Sequence, residues 1–250
     1  MPDALAAALD HPGLGWLMMA ALLAGSVRGF VGFGTAMVFI PIAAQILDPF
    51  EVLMAIVIMD AFGPVPNLPG AWRLADKPDL ARLMVGTAIG LPFGLWTLSQ
   101  VSPDLFQIAV GAVALSMVVC LALGFRFRGR VGPGLVFATG GAAGLLGGTT
   151  GLAGPPVILL YMASSHPAKV VRASTMVYLF AVDLVLGGML YLGDLVALGP
   201  VLIGCVLAVP NLAGNLLGGW MFRPDRERLY RAVAYTIVAA SAVSALWIWE

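Results

Sequence analysis

Eight apolar runs constrain this 250-residue chain more than any other feature. They lie at about 14–47, 50–71, 80–98, 104–124, 133–163, 168–192, 196–221 and 230–249, and short polar or proline-containing breaks separate them. Most are close to the roughly 20 residues that cross about 30 Å of hydrocarbon as a helix. Hydrophobic residues make up 60% of the chain, against roughly 45–50% in a soluble domain, and 13 basic and 13 acidic residues cannot clothe so much helix in charge. A soluble globule is excluded, and lipid is the solvent. The formal charge of zero gives no electrostatic footprint for nucleic acid. Cys120 and Cys205 sit inside apolar runs with no disulfide or metal-ligand spacing, so they read as packing residues. Residues 1–13 contain Asp3 and Asp10 but no Lys or Arg, so the positive start of a cleavable signal is missing and the first run is expected to be retained.

The first and fifth runs are about 30 residues or longer, enough for two short helices each, and each has a glycine cluster near its middle. The clusters match. Gly25, Gly29, Gly32, Thr35 and Pro41 fall on Gly140, Gly144, Gly147, Thr150 and Pro156 at an offset of 115. Pro49, Val52, Ala55, Phe62, Asp76, Gly86 and Pro92 fall on Pro167, Val170, Ala173, Phe180, Asp194, Gly204 and Pro210 at an offset of 118. The chain therefore reads as two four-run modules, 1–130 and 131–250, forming one membrane domain.

Basic residues decide how the long runs cross. Arg73, Lys77 and Arg82 follow the second run, Arg126, Arg128 and Arg130 the fourth, Lys169 and Arg172 the fifth, and Arg223, Arg226, Arg228 and Arg231 the seventh. If every run crossed once, the two sides would share these equally, against the cytoplasmic excess of Lys and Arg. If the first and fifth runs each enter and return, all of them fall on one face, and only Arg28 is left over, inside the first run. This arrangement puts both termini outside and inverts the second module relative to the first. The expected fold is an all-α polytopic membrane protein of two inverted repeats, each a re-entrant or broken helical hairpin plus three transmembrane helices. Inverted repeats are common in secondary transporters, with the substrate site at the repeat interface.

The hairpin turns are where a ligand is expected. Gly25 to Thr35 precedes a helix of about 13 residues, too short to span, and Gly144 to Gly154 precedes Pro155, Pro156 and another short helix. A helix starting at such a turn presents unpaired N–H groups and partial positive charge, an anion site. Gly32, Gly34, Gly148 and Gly151 permit the turn and close approach of backbone amides, while Thr35, Thr149 and Thr150 add hydroxyl donors. Gly25, Gly29, Gly140 and Gly144 have the small-xxx-small spacing that lets membrane helices pack closely.

Gly-x-x-Gly-x-Gly followed by a proline, carried by Gly29, Gly32, Gly34 and Pro41 and again by Gly144, Gly147, Gly151 and Pro156, resembles the sulfite exporter TauE/SafE family over roughly residues 14–249. Thr149 stands where the first half has Gly34. The resemblance implies a multi-pass carrier of the bacterial inner membrane that exports sulfite, sulfoacetate or other organosulfonates. The expected partners are a small anion and the lipid bilayer, with no nucleic acid; a homodimer stays open. A proton-coupled carrier or a channel for another small organic anion is the alternative.

Ionisable residues inside apolar runs cost about 2.5–3.5 kcal/mol each to insert, so they have a task or a partner. Arg28, beside the first turn, reads as an anion ligand or as the ion-pair partner of Asp60. Asp60 and Asp183 are candidates for a coupling proton, with helix pairing or a water-facing position as the other reading of Asp183. Asn211 and Asn215, four apart on one helix face, line a polar path or bond between helices. No catalytic, metal or cofactor site is expected: His11 and His166 lie outside the runs, no ligand cluster is visible, and no phosphate-binding loop or dinucleotide fingerprint occurs. An intramembrane enzyme built on Asp60 and Asp183 is the remote alternative.

Overall fold

Glycine and proline set the ends of the helices. The computed structural model describes residues 6, 8–122, 132–164, 166–221 and 236. The eighth run apart from residue 236, and Arg126, Arg128, Arg130, Arg223, Arg226, Arg228 and Arg231, lie outside the described residues. Helix α1 (Leu14–Val31) stops where Gly32 takes a φ of 90°, and α2 (Thr35–Ala43) starts after Gly34 at 105°. Both values belong to the left-handed region that only glycine enters freely. Helix α3 (Pro49–Phe62) is opened by a capping box of Asp48 and Glu51. It is followed by a 3-10 turn (Val65–Asn67) and α4 (Leu68–Leu74). Next come α5 (Lys77–Leu98), α6 (Pro103–Ala122), α7 (Pro133–Thr150), α8 (Gly154–Ala163), α9 (Ala168–Leu192) and α10 (Leu198–Met221). The described residues contain no strand.

Four helices, α1, α5, α9 and α10, are long and apolar enough to cross a membrane, and α3 with α4 makes a fifth candidate bent by 43°. That bend departs from the single span expected over 50–71. Pro64 and Pro66 carry no N–H, so the carbonyls of Asp60 and Phe62 lose the donors that a continuous helix would supply. Arg172, expected in a loop, lies instead in the second turn of α9, and its Nη2 donates to the Gly29 carbonyl at 2.6 Å.

Two close helix pairs form the frame, α1 with α10 and α5 with α7. Glycines let the backbones touch. A Cβ at Gly86 would collide with the Phe137 carbonyl and lie 2.7 Å from the Gly141 nitrogen, and one at Gly90 would collide with the Gly141 carbonyl. In the other pair, a Cβ at Gly214 would collide with the Leu22 carbonyl and lie 2.7 Å from the Ser26 nitrogen, and one at Gly218 with the Ser26 carbonyl. Residue numbers rise together along both members, so each pair runs parallel. The contacts also correspond: Phe137, Gly141 and Leu145 follow Leu22, Ser26 and Phe30 by 115, while Gly214 and Gly218 follow Gly86 and Gly90 by 128. The offset of 115 agrees with the sequence, whereas the last pair lies ten residues beyond the 118 at which Gly86 and Pro92 match Gly204 and Pro210. Helix α9 runs unbroken for 25 residues where α3 stops after 14, so the two halves space these helices differently.

Both long runs turn back on themselves. Gly13, before α1, has the Ile46 side chain within 3.1 Å of where its Cβ would be, so the chain after α2 has returned to the start of α1. His166, after α8, has its Nε2 3.2 Å from Oδ2 of Asp76, the N-cap of α5. Because α5 and α7 are parallel, that is also the end at which α7 begins. Arg73, Lys77, Arg82, Lys169 and Arg172 gather at this same end, around Asp76, whose N–H donates to Ser174 Oγ at 2.9 Å.

Candidate functional site

The turns themselves are shorter than the glycine clusters. Helix α1 runs through Gly25 and Gly29, and only Gly32, Phe33 and Gly34 leave it. Helix α7 runs through Gly147, Gly148, Thr149 and Thr150, and only Gly151, Leu152 and Ala153 leave it. Thr149 Oγ1 donates to the Leu145 carbonyl at 2.9 Å and Thr150 Oγ1 to the Leu146 carbonyl at 2.8 Å. A hydroxyl in an apolar helix meets its own preceding turn before it meets anything else. Thr150 Oγ1 also accepts from the Leu152 N–H at 3.3 Å, which fastens the turn. The hydroxyls of Thr149 and Thr150, expected as ligand donors, are thus engaged by their own helix in this structure. Gly148, expected to permit the turn, lies within α7 instead, and a Cβ there would be 2.6 Å from the Leu91 carbonyl of α5.

What remains of the two turns meets in one cavity. Its wall includes Gly34, Thr35, Ala36 and Met37 from the first turn and Gly147, Gly151, Ala153, Gly154 and Pro155 from the second. Arg28, Asp60 and Asp183 complete the polar part, and α9 adds the apolar Leu179, Val182 and Leu186, which share a face with Asp183. That face was readable in the sequence from its helical spacing. Gly32 is not on the wall; it packs on Arg172, whose Cγ would lie 2.7 Å from a Cβ at this position. Asn211 and Asn215 are also elsewhere, completely buried beside the bend after α3, where Asn215 Oδ1 accepts from Asn67 Nδ2 at 3.3 Å.

The charges of the cavity are arranged around one nitrogen. Arg28, 2% exposed in the last turn of α1, turns Nη1 directly onto Asp60 Oδ2 and donates from it to Thr35 Oγ1 at 3.3 Å. Asp183 Oδ2 is 3.6 Å from the same nitrogen. The other edge of the guanidinium, Nε and Nη2, is buried with no hydrogen-bond partner. Such an edge is a planar fork that fits two oxygens of an oxyanion, and leaving it empty costs about 1–3 kcal/mol. The first helix start adds donors beside it, because the N–H groups of Thr35, Ala36 and Met37 have no acceptor within α2. The second start is poorer. Pro155 and Pro156 have no N–H, so α8 offers Gly154 alone among its first three residues.

With this geometry in place, comparison with known families is decisive. The model of the sulfite exporter TauE/SafE family matches residues 17–245. The chain belongs to that family. No curated protein and no solved structure matches it. Membership makes it a multi-pass membrane protein of a transporter family, in agreement with its apolar helices. Among the described residues of this TauE/SafE chain, no group of three or more His, Cys, Asp or Glu could hold a metal ion.

Thr35→Val should cost about 1.5–3 kcal/mol, the worth of a hydrogen bond to a charged group. Thermal unfolding in detergent reads this, and Thr35→Ser, which keeps the hydroxyl, should lose far less.

Proposed function

We propose that this chain exports a small sulfur-containing anion, such as sulfite, sulfoacetate or another organosulfonate, by alternating access. The anion sits between the starts of α2 and α8, against the free edge of Arg28. The observations that carry this reading are the buried, unpartnered Nε and Nη2 of Arg28 and the place of that residue in the wall of a cavity shared by both hairpin turns. Arg28 then serves both roles its sequence position left open: Nη1 holds Asp60, and the opposite edge receives the ligand. A sulfonate group suits the site, since its three oxygens can accept from the guanidinium and from the α2 amides at once.

The inverted repeat supports alternating access. Its support is the corresponding contacts in the two parallel helix pairs and the return of both hairpins. In the membrane reading, the end carrying Arg73, Lys77, Arg82, Lys169 and Arg172 faces the cytoplasm, and the end carrying Gly13 and Ile46 faces the periplasm, with both termini. The carrier belongs to the inner membrane, and its own site holds a single small anion without a cofactor.

Cysteine protection tests the location. In a background lacking Cys120 and Cys205, Ala36→Cys and Ala153→Cys should react with a small thiol reagent, and sulfoacetate should slow both reactions at least about tenfold. Both positions line the cavity from opposite turns. Equal rates with and without the anion, in variants that still transport, would reject a site between the turns.

A further inference from the structure

The cavity holds one cation and two carboxylates. With all three ionised, Arg28, Asp60 and Asp183 sum to a formal charge of −1; a monoanion entering this space would bring it to −2 and a dianion such as sulfoacetate to −3. Coulomb repulsion in a buried site is screened far less than in water, so an anion site of this composition needs a compensating positive charge. No other Lys or Arg among the described residues lines the cavity. A proton is the smallest charge that fits. Resting on the anion-carrier reading above, we propose that Asp183 is a proton-binding site of the carrier, and that anion and proton occupy the cavity together.

The two carboxylates are not equivalent. Asp60 is in direct contact with Arg28 Nη1, and only 2% of its side chain is exposed. Asp183 stands 3.6 Å from that nitrogen, its side chain is 17% exposed, and its Oδ2 makes no hydrogen bond. The proton therefore goes to the carboxylate that is held less tightly and opens on the cavity. The charged groups facing Asp183 are Arg28 from α1 and Asp60 from α3. On its own helix Tyr178 is tied through its hydroxyl to Thr87 at 2.7 Å, and α8 brings only the neutral Tyr161. Lys77, Asp79 and Arg82 of α5 and the exposed Arg73 of α4 lie toward the start of α9. Asp76 marks that end by its bond to Ser174, nine residues before Asp183 and so about 14 Å along the helix.

The step balances simply. A proton from the water on the loading side forms an O–H bond on Asp183 as the anion binds, and returns to water when the anion leaves. No electrons move. Loaded with a monoanion and a proton, the cavity carries the same charge as when empty, so monoanion transport is electroneutral. A monoanion is then exported along its own gradient against the proton gradient and draws nothing from the membrane potential, whereas a dianion such as sulfoacetate still carries one net charge outward.

Proton uptake on binding tests this directly. Sulfoacetate is added to purified protein in weakly buffered detergent solution with a pH dye, and binding is followed in parallel by calorimetry. Wild type should take up about one proton per bound anion. Its apparent affinity should tighten by up to about tenfold per pH unit as pH falls, because linkage ties that slope to the protons bound. Asp183→Asn should bind with at least about a tenfold smaller proton signal and a flat pH profile. Anion binding by wild type without proton uptake overturns the proposal and leaves the carrier reading standing. Unchanged proton uptake in Asp183→Asn also overturns it. Failure of wild type to bind sulfoacetate, sulfite or taurine overturns the carrier reading, and this proposal with it. The wild-type measurements do not depend on the folding of any variant.

Discussion

Arg28→Ala is expected to abolish anion flux in proteoliposomes and to lower stability by about 3–5 kcal/mol, the usual cost of leaving one member of a buried pair alone. Asp60, 1% exposed and facing the place the guanidinium held, would be the uncompensated charge. The two losses separate in a second variant. Arg28→Ala with Asp60→Ala removes the stranded charge and should recover most of the stability, yet flux should stay at background, because the free Nε and Nη2 edge is gone. Arg28→Lys should fold and transport at least about tenfold more slowly, since an ammonium can hold Asp60 but lacks the fork that meets two oxygens. Normal flux in a well-folded Arg28→Ala protein would show that the guanidinium only fastens α1 to α3.

The second large effect is expected far from the cavity. Gly90→Val and Gly218→Val occupy corresponding contacts, the first against the Gly141 carbonyl of α7 and the second against the Ser26 carbonyl of α1. In both cases a Cβ meets backbone, which has no rotamer to yield. Overpacking of this kind costs about 1–3 kcal/mol or more, so each variant should yield little monodisperse protein and unfold several degrees lower in detergent. Gly15→Ala and Gly188→Ala, with nothing within 4 Å of the new Cβ, should change stability by no more than about 0.5 kcal/mol. Because membrane helices gain little from hydrophobic burial against each other, close backbone approach is a main source of their association. Equal tolerance of valine at Gly90 and alanine at Gly15 would contradict the helix pairing.

Much of this architecture was legible in the chain, for identifiable reasons. Glycine position and the scarcity of basic residues located two hairpins, since charge cannot be left in lipid and a short helix cannot span. Burial of Arg28 required a counter-ion, and Asp60 was the nearest acid at comparable depth. The extent of the turns was less legible. Gly148, Thr149 and Thr150 looked like turn residues, but in lipid a threonine can bond its own helix, so the helix continued to Thr150. The paired prolines after the second turn were visible, and their missing N–H groups already made the two turns unequal donors. The second acid at Arg28 was hidden because Asp183 arrives from a helix more than 150 residues away in sequence. The true register of α10 was hidden as well, because matched identities such as Pro92 and Pro210 do not report which residues touch.

The central claim is that this cavity carries a sulfur-containing anion, and a flux screen on wild-type protein tests it most directly. Proteoliposomes loaded in turn with sulfite, sulfoacetate, taurine, sulfate and lactate would be compared with protein-free liposomes. Efflux of sulfite or sulfoacetate well above background, with lactate near background, is the result this account predicts. Efflux of none of the sulfur anions, or of lactate alone, would contradict it.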